Sequence, residues 1–267
     1  MSRVAVLYVY HDRPAMCASR VRLLRALNPG VRLYGICCGR PERRGEFVEV
    51  EQALDDTWTC EMGDGAWRWR HMDKVIARWY TVRGKHLPWD VVFEHQADLL
   101  LAAPLQTYTD HITTPHDVLF HRTPLSHAEL LRANWQWMTE EVDELRAFLH
   151  WLRERYGHEG AFCGQSMFFA IFTRAYVEEF AAMIEGVPGV MEYRAPSLAR
   201  ASGYRLVRYD APQADVACMS FADDGNLSRE RVLSEIATAG GARMFHRVFE
   251  TIEPDAILPM LAAPAGT

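Results

Sequence analysis

The sequence predicts an α/β fold, because apolar runs typical of buried strands alternate with amphipathic segments typical of helices. Residues 4–10 form a continuous apolar run, the pattern of a central parallel strand. Residues 15–27 follow with apolar side chains at helical spacing, and residues 31–38 form a second apolar run. Because both connections are short, this strand, helix and strand favour a right-handed parallel crossover. We therefore expect a mixed sheet flanked by helices.

The rest of the chain continues this alternation. Residues 91–101 carry two apolar blocks that predict buried strand structure, and residues 129–156 are helix-prone and nearly free of Gly and Pro. Further helices are predicted at 47–54, 67–82, from 173 onward, after Pro196 to 201, and 227–239, and further strands at 57–60, 118–120, 167–172 and 204–209. A chain of 267 residues can bury a substantial core. We therefore expect one domain over residues 1–260 and a flexible tail over residues 261–267.

Composition excludes several classes of function. Hydrophobic residues make up 49% of the chain and charged residues 24%, which are ordinary globular values. A net charge of −6 argues against a nucleic-acid binder, which needs a dense face of Lys and Arg. The sequence lacks the patterns GxxxxGK[ST], GxGxxG and GxSxG, so it does not favour a P-loop enzyme, a Rossmann dehydrogenase or a serine hydrolase.

The cysteines and the N-terminus indicate the compartment. The six cysteines follow no metal-ligand spacing, so we expect buried thiols in a reducing compartment. The N-terminus enters a strand directly without a signal-peptide cleavage region, and no apolar run approaches about 18 residues. We therefore expect a cytoplasmic protein, and peripheral contact with a membrane stays open.

The most informative segment is WDVVFEHQADLLLAAPL, at residues 89–105. Polar residues separate its two apolar blocks where a buried strand would stay apolar. A buried carboxylate at Asp98 is costly unless the charge is paired or holds a cation. Because ligands bind beyond the carboxyl ends of parallel strands, Asp98 is a candidate ligand of a metal and a phosphate. The alternative is a turn carboxylate that accepts hydrogen bonds from nearby backbone N–H groups.

This segment resembles the DxD segment of GT-A glycosyltransferases. The resemblance lies in Trp-Asp, an apolar strand, Ala-Asp, Leu-Leu-Leu and Ala-Ala-Pro-Leu. In that family the last Asp binds a divalent cation that bridges the diphosphate of a nucleotide sugar, a role that the resemblance gives to Asp98. Gln96 stands where the first Asp is usual, at the position that contacts the nucleotide. The resemblance implies a GT-A-like, Rossmann-type mixed sheet, a Mn²⁺ or Mg²⁺ cofactor and a nucleotide-diphosphate sugar as donor.

Residues elsewhere are further candidates for binding the donor. In nucleotide-binding α/β sheets the loop after the first strand commonly meets the base and ribose, which makes Tyr10, His11 and Arg13 candidates. The resemblance adds Lys74, on a helix whose polar residues approach the nucleotide in GT-A enzymes. It also adds His246, which matches a late histidine that some members use as a second metal ligand. The alternatives are a plain polar loop, an exposed helical charge pair and a structural histidine.

The same resemblance gives candidates for the acceptor side. Gly164, Gln165 and Ser166 match a glycine-containing segment that receives the donor sugar and the acceptor in GT-A proteins. Glu192 matches an acidic residue that an inverting enzyme uses as its catalytic base. A carboxylate suits that role because it accepts the proton of the acceptor hydroxyl. The alternatives are a tight turn without a ligand and a helix N-terminal carboxylate favoured by the dipole.

These expectations combine into one functional hypothesis with two rivals. We expect a glycosyltransferase that moves a sugar from a nucleotide-diphosphate sugar to the hydroxyl of a glycan, a lipid or a small molecule. The first rival is a catalytically degenerate GT-A-like domain that binds or scaffolds, which Gln96 favours because it replaces a carboxylate. The second is a sugar-phosphate nucleotidyltransferase, which is less favoured because HDRPAMCASR, after the first strand, contains no glycine.

Overall fold

The structure is a computed structural model that describes residues 3–121, 124–133, 135–138, 142–157, 162–165, 169–219 and 225–262. Its strands are β1 (Val4–Tyr10), β2 (Arg32–Cys37), β3 (Asp56–Thr59), β4 (Val91–Gln96), β5 (Leu100–Leu101), β6 (Asp117–Phe120), β7 (Leu125–Ser126), β8 (Cys163–Gly164), β9 (Phe169–Thr173), β10 (Arg205–Val207) and β11 (Met244–Phe245).

Its helices follow the strands in alternation along much of the chain. The α-helices are α1 (Pro14–Leu27), α2 (Val48–Ala53), α3 (Gly65–Arg70), α4 (Met72–Val82), α5 (Gln106–Thr109), α6 (His127–Arg132), α7 (Val142–Tyr156), α8 (Arg174–Met183), α9 (Met191–Ala201), α10 (Gln213–Ala217), α11 (Arg229–Ala237) and α12 (Pro254–Ala262). Short 3₁₀ helices cover Pro41–Phe47, Gly84–His86 and Gln136–Met138. Within the described ranges, no helix is both long and apolar enough to cross a bilayer.

Seven of the described strands form one sheet in the order β10-β6-β9-β4-β1-β2-β3. β1 pairs in parallel with β2, and β2 pairs in parallel with β3. β6 pairs antiparallel with β9 and in parallel with β10. The sheet is therefore mixed, and the predicted α/β class is confirmed.

The chain divides into two compact units. Unit 1 comprises Met1–Cys60, Val92–Asp110 and Asp210–Thr267, and unit 2 comprises Glu61–Val91 and His111–Tyr209. In unit 1, α1 packs against α2 and α12, and in unit 2, α4 packs against α8 and α9. The predicted boundaries of the domain and the tail stay a prediction. The predicted buried thiols are confirmed, because all six cysteines are buried and none is in a disulfide.

The prediction of a single helix over residues 67–82 is wrong. The chain forms α3 and α4 instead, separated at His71 by a backbone with φ −129° and ψ 33°. His71 is buried, and its Nδ1 lies 3.3 Å from the guanidinium Nη2 of Arg194. The local apolar spacing does not encode this tertiary contact, which is why the spacing alone predicted one continuous helix.

The prediction of one long helix over residues 129–156 is also wrong. α6 ends at Arg132, and α7 begins only at Val142. The start of α6 has a clear local cause, because Ser126 and Glu129 form a capping box. Between the two helices, the 3₁₀ turn at Gln136–Met138 carries the buried ring of Trp137. We attribute the interruption of the helix to burial of this ring, which helix propensity alone does not predict.

The predicted helix after Pro196 begins earlier than expected, at Met191, so Glu192 lies in its first turn rather than ahead of it. Pro196 sits inside this helix and has no N–H for the carbonyl four residues earlier. That carbonyl, of Glu192, instead accepts the backbone N–H of Gln165 at 2.9 Å. Because Pro196 lacks an N–H, the carbonyl of Glu192 is available to accept the hydrogen bond that ties Gln165 to α9.

Candidate functional site

Asp98 lies in the turn between β4 and β5, and 22% of its side chain is exposed. β5 pairs antiparallel with β11, with Leu100 opposite Phe245. In an antiparallel pair, the residues that follow one strand lie beside those that precede the other. His246 Nε2 is accordingly 3.5 Å from Asp98 Oδ2, and Arg247 Nε is 3.8 Å from the same oxygen. A short ribbon thus brings Asp98 and His246 together in unit 1.

These neighbours stabilise the charge of Asp98. Burial raises the pKa of Asp98. The hydrogen bond from His246 and the positive charges of His246 and Arg247 lower this pKa by more than burial raises it, so the pKa of Asp98 lies below its ordinary value. The backbone supports the cluster, because the N–H of Val248 donates to the carbonyl of Asp98 at 2.9 Å. Asp98 is therefore ionised at neutral pH.

Asp98 and His246 fit a divalent cation whose coordination is completed by a substrate. Two ligands that each lie about 2.1 Å from one ion are at most about 4.2 Å apart, and Asp98 Oδ2 and His246 Nε2 are 3.5 Å apart. Mg²⁺ is usually held by one or two carboxylates, several waters and the phosphates of a substrate. In the part of the chain that the structure describes, no group of three or more His, Cys, Asp or Glu side chains is placed to hold a metal ion. A cation here would depend on the diphosphate for further ligands.

Tyr10 and Gln96 lie at the ends of two strands of unit 1. Tyr10 is fully buried, and its ring contacts those of Tyr8 and Phe47, with centroids 5.8 Å and 5.3 Å away. Burial raises the pKa of the Tyr10 hydroxyl, so this group stays protonated. Gln96 is half-buried at the last position of β4, two residues before Asp98. Gln96 is thus the nearer of the two along the chain to the candidate metal ligand.

His11 and Arg13 are exposed in the loop after β1. Arg13 adopts a left-handed backbone with φ 53°, directly before α1 begins at Pro14. Its Nη1 donates to the carbonyl of Phe249 at 3.4 Å, and its guanidinium lies 4.6 Å from the centroid of the Phe249 ring. The loop after β1 therefore contacts the segment that follows His246.

Arg20 also supports this segment, and the sequence prediction missed it. Its guanidinium Nη2 donates to the carbonyls of Val248 at 3.4 Å and Glu250 at 3.1 Å. Burial lowers the pKa of Arg20 to about 10, so the group stays charged at neutral pH. The signal was present, because Arg20 follows Cys17 by three residues and precedes Leu24 by four, which places it on the apolar face of the helix. An arginine on that face needs buried acceptors.

In unit 2, Lys74 lies half-buried on α4. Burial, and then the positive charge of Arg194, lowers the pKa of Lys74. Its neighbour Asp73 is not part of an exposed charge pair. Asp73 is buried and accepts two hydrogen bonds from Arg194, from Nε to Oδ2 at 2.8 Å and from Nη2 to Oδ1 at 2.5 Å. This bidentate pair joins α4 to α9.

Glu192 is half-buried in the first turn of α9. The indole N–H of Trp137 donates to its carboxylate. The Trp137 ring in turn contacts the ring of Trp69, with centroids 5.4 Å apart. The sequence analysis named neither tryptophan as a candidate site residue.

The other acceptor candidates lie against the backbone of Glu192. Gly164 has no room for a side chain, because a Cβ there would lie 2.8 Å from the ring of Trp135 and 3.2 Å from the carbonyl of Glu192. Gln165 donates its backbone N–H to that carbonyl. Ser166 lies outside the described residues. The structure thus brings Gly164, Gln165 and Glu192 together in unit 2.

Comparison with known proteins assigns no family to the chain. No protein-family model matches the sequence, and no curated protein matches it. Among solved structures, a chain described as the apo structure of the bifunctional glycosyltransferase WbbM is similar to this one over 98% of the present chain, with 12% sequence identity and a TM-score of 0.48. The similarity covers 50% of that other chain, so the present chain spans about half its length.

Proposed function

We propose that the protein is a glycosyltransferase that uses a nucleotide-diphosphate sugar, with Asp98 and His246 holding the donor diphosphate through Mn²⁺ or Mg²⁺. The observation that carries the proposal is the pair itself. Two residues that are far apart in the sequence, and that a resemblance to GT-A enzymes assigns to one metal, lie 3.5 Å apart. Carboxylate suits both ions, whereas the imidazole of His246 suits the transition metal Mn²⁺ better than Mg²⁺, which prefers oxygen ligands.

The proposed glycosyl-transfer reaction determines the roles of the residues in unit 1. Glycosyl transfer forms a bond from the acceptor oxygen to C1 of the sugar and breaks the bond from C1 to the diphosphate oxygen, whose electron pair leaves with the diphosphate. When bound, the cation offsets the negative charge that grows on this leaving group. Arg247, whose Nε lies 3.8 Å from Asp98, supplies a further positive charge from the protein itself. Arg13 is an exposed cation on the neighbouring loop.

We assign the proton of the acceptor hydroxyl to Glu192 on chemical grounds. A base for this step must be ionised, reachable from solvent and held in one orientation. Glu192 is half-buried rather than enclosed, and the N–H of Trp137 donates to its carboxylate. The assignment implies an inverting reaction, in which the acceptor oxygen attacks C1 opposite the leaving diphosphate.

The proposal is tested by calorimetric titration of a panel of nucleoside diphosphates, with and without Mn²⁺. We expect one base to bind, and we expect binding to need both the metal and Asp98. Asp98→Asn keeps the shape of the side chain and removes its charge. Asp110→Asn is the matched control, because Asp110 is an exposed carboxylate of the same unit. Binding that is the same with or without metal, and the same in Asp98→Asn, would contradict the proposal.

A second candidate function is a degenerate GT-A-like domain that binds the nucleotide without turning it over. The observation that favours it is Gln96, an uncharged residue at the end of β4 where the family segment usually has a carboxylate. Release of nucleoside diphosphate from the matching nucleotide sugar separates the two functions. A transferase releases it at a rate that depends on Asp98, whereas a binding domain retains the intact donor.

A further inference from the structure

We infer that the protein docks on membranes that contain anionic phospholipids, through a basic surface in unit 2. The surface lies on the C-terminal half of α4 and on the 3₁₀ turn that follows it, and its exposed residues are Arg78, Val82, Arg83, Lys85 and His86. The inference goes beyond the proposed function, because it assigns a partner to residues that the proposed reaction does not use.

The segment that carries this surface is basic, although the protein as a whole is acidic. Residues 74–89 contain four Lys or Arg residues and no Asp or Glu, whereas the chain has a net charge of −6. Within the part of the chain that the structure describes, Arg78 and Lys85 form no ion pair. Positive charges without local partners give the surface a positive potential, which attracts an anionic partner.

The carboxylates of neighbouring segments leave this charge in place. Asp73, near the start of α4, is buried in the ion pair that joins α4 to α9. Burial, and then the charge of Glu178 on α8, raises the pKa of Tyr80, whereas the charge of Arg174 lowers it. Glu178 and Arg174 are also four residues apart on one helix, so their opposite charges offset each other. Asp90, the first carboxylate after the segment, is half-buried.

The turn that carries Arg83 and Lys85 is held by close packing. Gly84 lies against Trp79, and a Cβ at residue 84 would be 2.8 Å from that ring. The indole N–H of Trp89 donates to the carbonyl of Gly84 at 2.9 Å. Because the backbone is fixed in this way, the exposed cations sit on a preformed turn, and docking does not have to order it.

Arg174 fixes the rest of the turn from below. Its guanidinium lies 4.4 Å from the centroid of the Trp89 ring and donates to three backbone carbonyls within residues 85–89. These carbonyls therefore have partners inside the protein. What the turn presents to a partner is its side chains, and those are cationic or apolar.

Apolar groups among the cations favour a bilayer over a nucleic acid. Val82 is 37% exposed and lies four residues after Arg78, on the same face of α4. Pro88 is exposed two residues after His86. Anionic headgroups attract Lys and Arg, and apolar side chains enter the boundary between headgroups and acyl chains. A nucleic acid would use the cations alone, and the net charge of −6 opposes its approach.

The test is co-sedimentation of the whole protein with vesicles of phosphatidylcholine alone, or of phosphatidylcholine and phosphatidylglycerol in equal parts. We expect binding to the anionic vesicles only, and weaker binding in high salt because the attraction is screened. Each cation near an anionic surface strengthens partitioning about five-fold, so the double variant Arg78→Gln with Lys85→Gln should bind roughly 25-fold more weakly.

The matched control removes the same charge elsewhere on unit 2. Arg146 and Arg155 are exposed arginines on α7, and the double variant Arg146→Gln with Arg155→Gln should bind the anionic vesicles as the wild type does. Both double variants should keep the urea midpoint close to that of the wild type, because exposed charges contribute little to stability. A shared loss of binding would then reflect net charge rather than this surface, and would overturn the inference.

A single apolar substitution separates a bilayer from other polyanions. Val82→Ser should weaken binding to the anionic vesicles and leave unchanged any binding to a short DNA duplex or to polyglutamate, which have no apolar interior. No binding to anionic vesicles, equal binding to neutral ones, or tighter binding to the duplex or to polyglutamate would overturn the inference. Nucleotide is absent from every arm, so the result is independent of the proposed function.

Discussion

At the scale of single residues, Arg194 and Asp73 form a buried ion pair whose loss should destabilise the protein. Both side chains are buried, and the guanidinium makes two hydrogen bonds to the carboxylate. Removal of one partner leaves the other charge buried and unpaired, which typically costs about 3–5 kcal/mol. We therefore expect Arg194→Met to lower the free energy of unfolding by roughly that amount, measured by urea denaturation.

The control for this prediction is a surface pair in the same unit. Arg146 and Asp143 lie 3.4 Å apart on α7, with side chains that are largely exposed. Exposed pairs contribute about 0–1 kcal/mol, so Arg146→Met should change stability little. Equal effects of the two substitutions would show that burial of the Arg194 pair does not matter.

At the scale of elements, α1 holds the segment that follows β11. The Ser19 hydroxyl donates to the carbonyl of Ile252 at 2.5 Å, and Arg20 donates to the carbonyls of Val248 and Glu250. We expect Arg20→Met to remove both of its hydrogen bonds and to speed hydrogen exchange of amides in residues 244–252. Because this segment begins next to His246, the affinity for Mn²⁺ with nucleotide should fall in the same variant.

Arg22 provides the comparison on the same helix. Its guanidinium pairs with Glu253 at 2.7 Å, but both side chains are substantially exposed. Arg22→Met should therefore leave hydrogen exchange of residues 244–252 close to that of the wild type. Faster exchange in both variants to the same degree would mean that Arg20 has no special role.

The elements that sequence alone predicted correctly have local causes. The helix predicted from residue 173 begins at Arg174, and the Thr173 side chain accepts the N–H of Tyr176 as an N-cap. The long helix over 129–156 failed because burial of Trp137 interrupts it. The break at His71 has the same origin, in contact with Arg194. Caps and apolar periodicity are visible in a sequence, whereas contacts between distant side chains are not.

At the scale of the whole molecule, two buried histidines make stability depend on acid pH. Burial, and then the charge of Arg194, lowers the pKa of His71 to about 4, and burial with the charge of Arg20 lowers that of His95 to about 3. Unfolded histidine titrates near about 6.5, so below that pH the unfolded chain binds more protons than the folded one. The stabilisation is therefore complete above about pH 6.5 and is lost as the pH falls toward about 4 for His71 and about 3 for His95.

This dependence is measured by urea midpoints between about pH 7 and about pH 4.5. We expect the midpoint to fall with pH in the wild type and to fall less steeply in His71→Gln. His150→Gln is the control, because His150 is an exposed histidine of unit 2. A slope that His71→Gln leaves unchanged, or that His150→Gln reduces equally, would rule out this origin.

The candidate site was partly visible in the sequence. Asp98 stood out because it is a carboxylate next to apolar blocks, and the resemblance to the DxD segment added a role. The 3.5 Å contact of Asp98 with His246 depends on the pairing of β5 with β11, two short strands that are far apart in the sequence. Trp137 was not predicted as a site residue, because only the folded chain places its indole N–H on the carboxylate of Glu192.

The most direct test of the central claim is electron paramagnetic resonance of Mn²⁺ titrated into the protein with the nucleoside diphosphate that binds best. We expect bound Mn²⁺ in the wild type and in Asp110→Asn. We expect affinity at least about tenfold weaker in Asp98→Asn and in His246→Gln, because each loses a ligand or its support. Unchanged Mn²⁺ affinity in both variants, with the nucleotide still bound, would contradict the assignment of Asp98 and His246 to the metal.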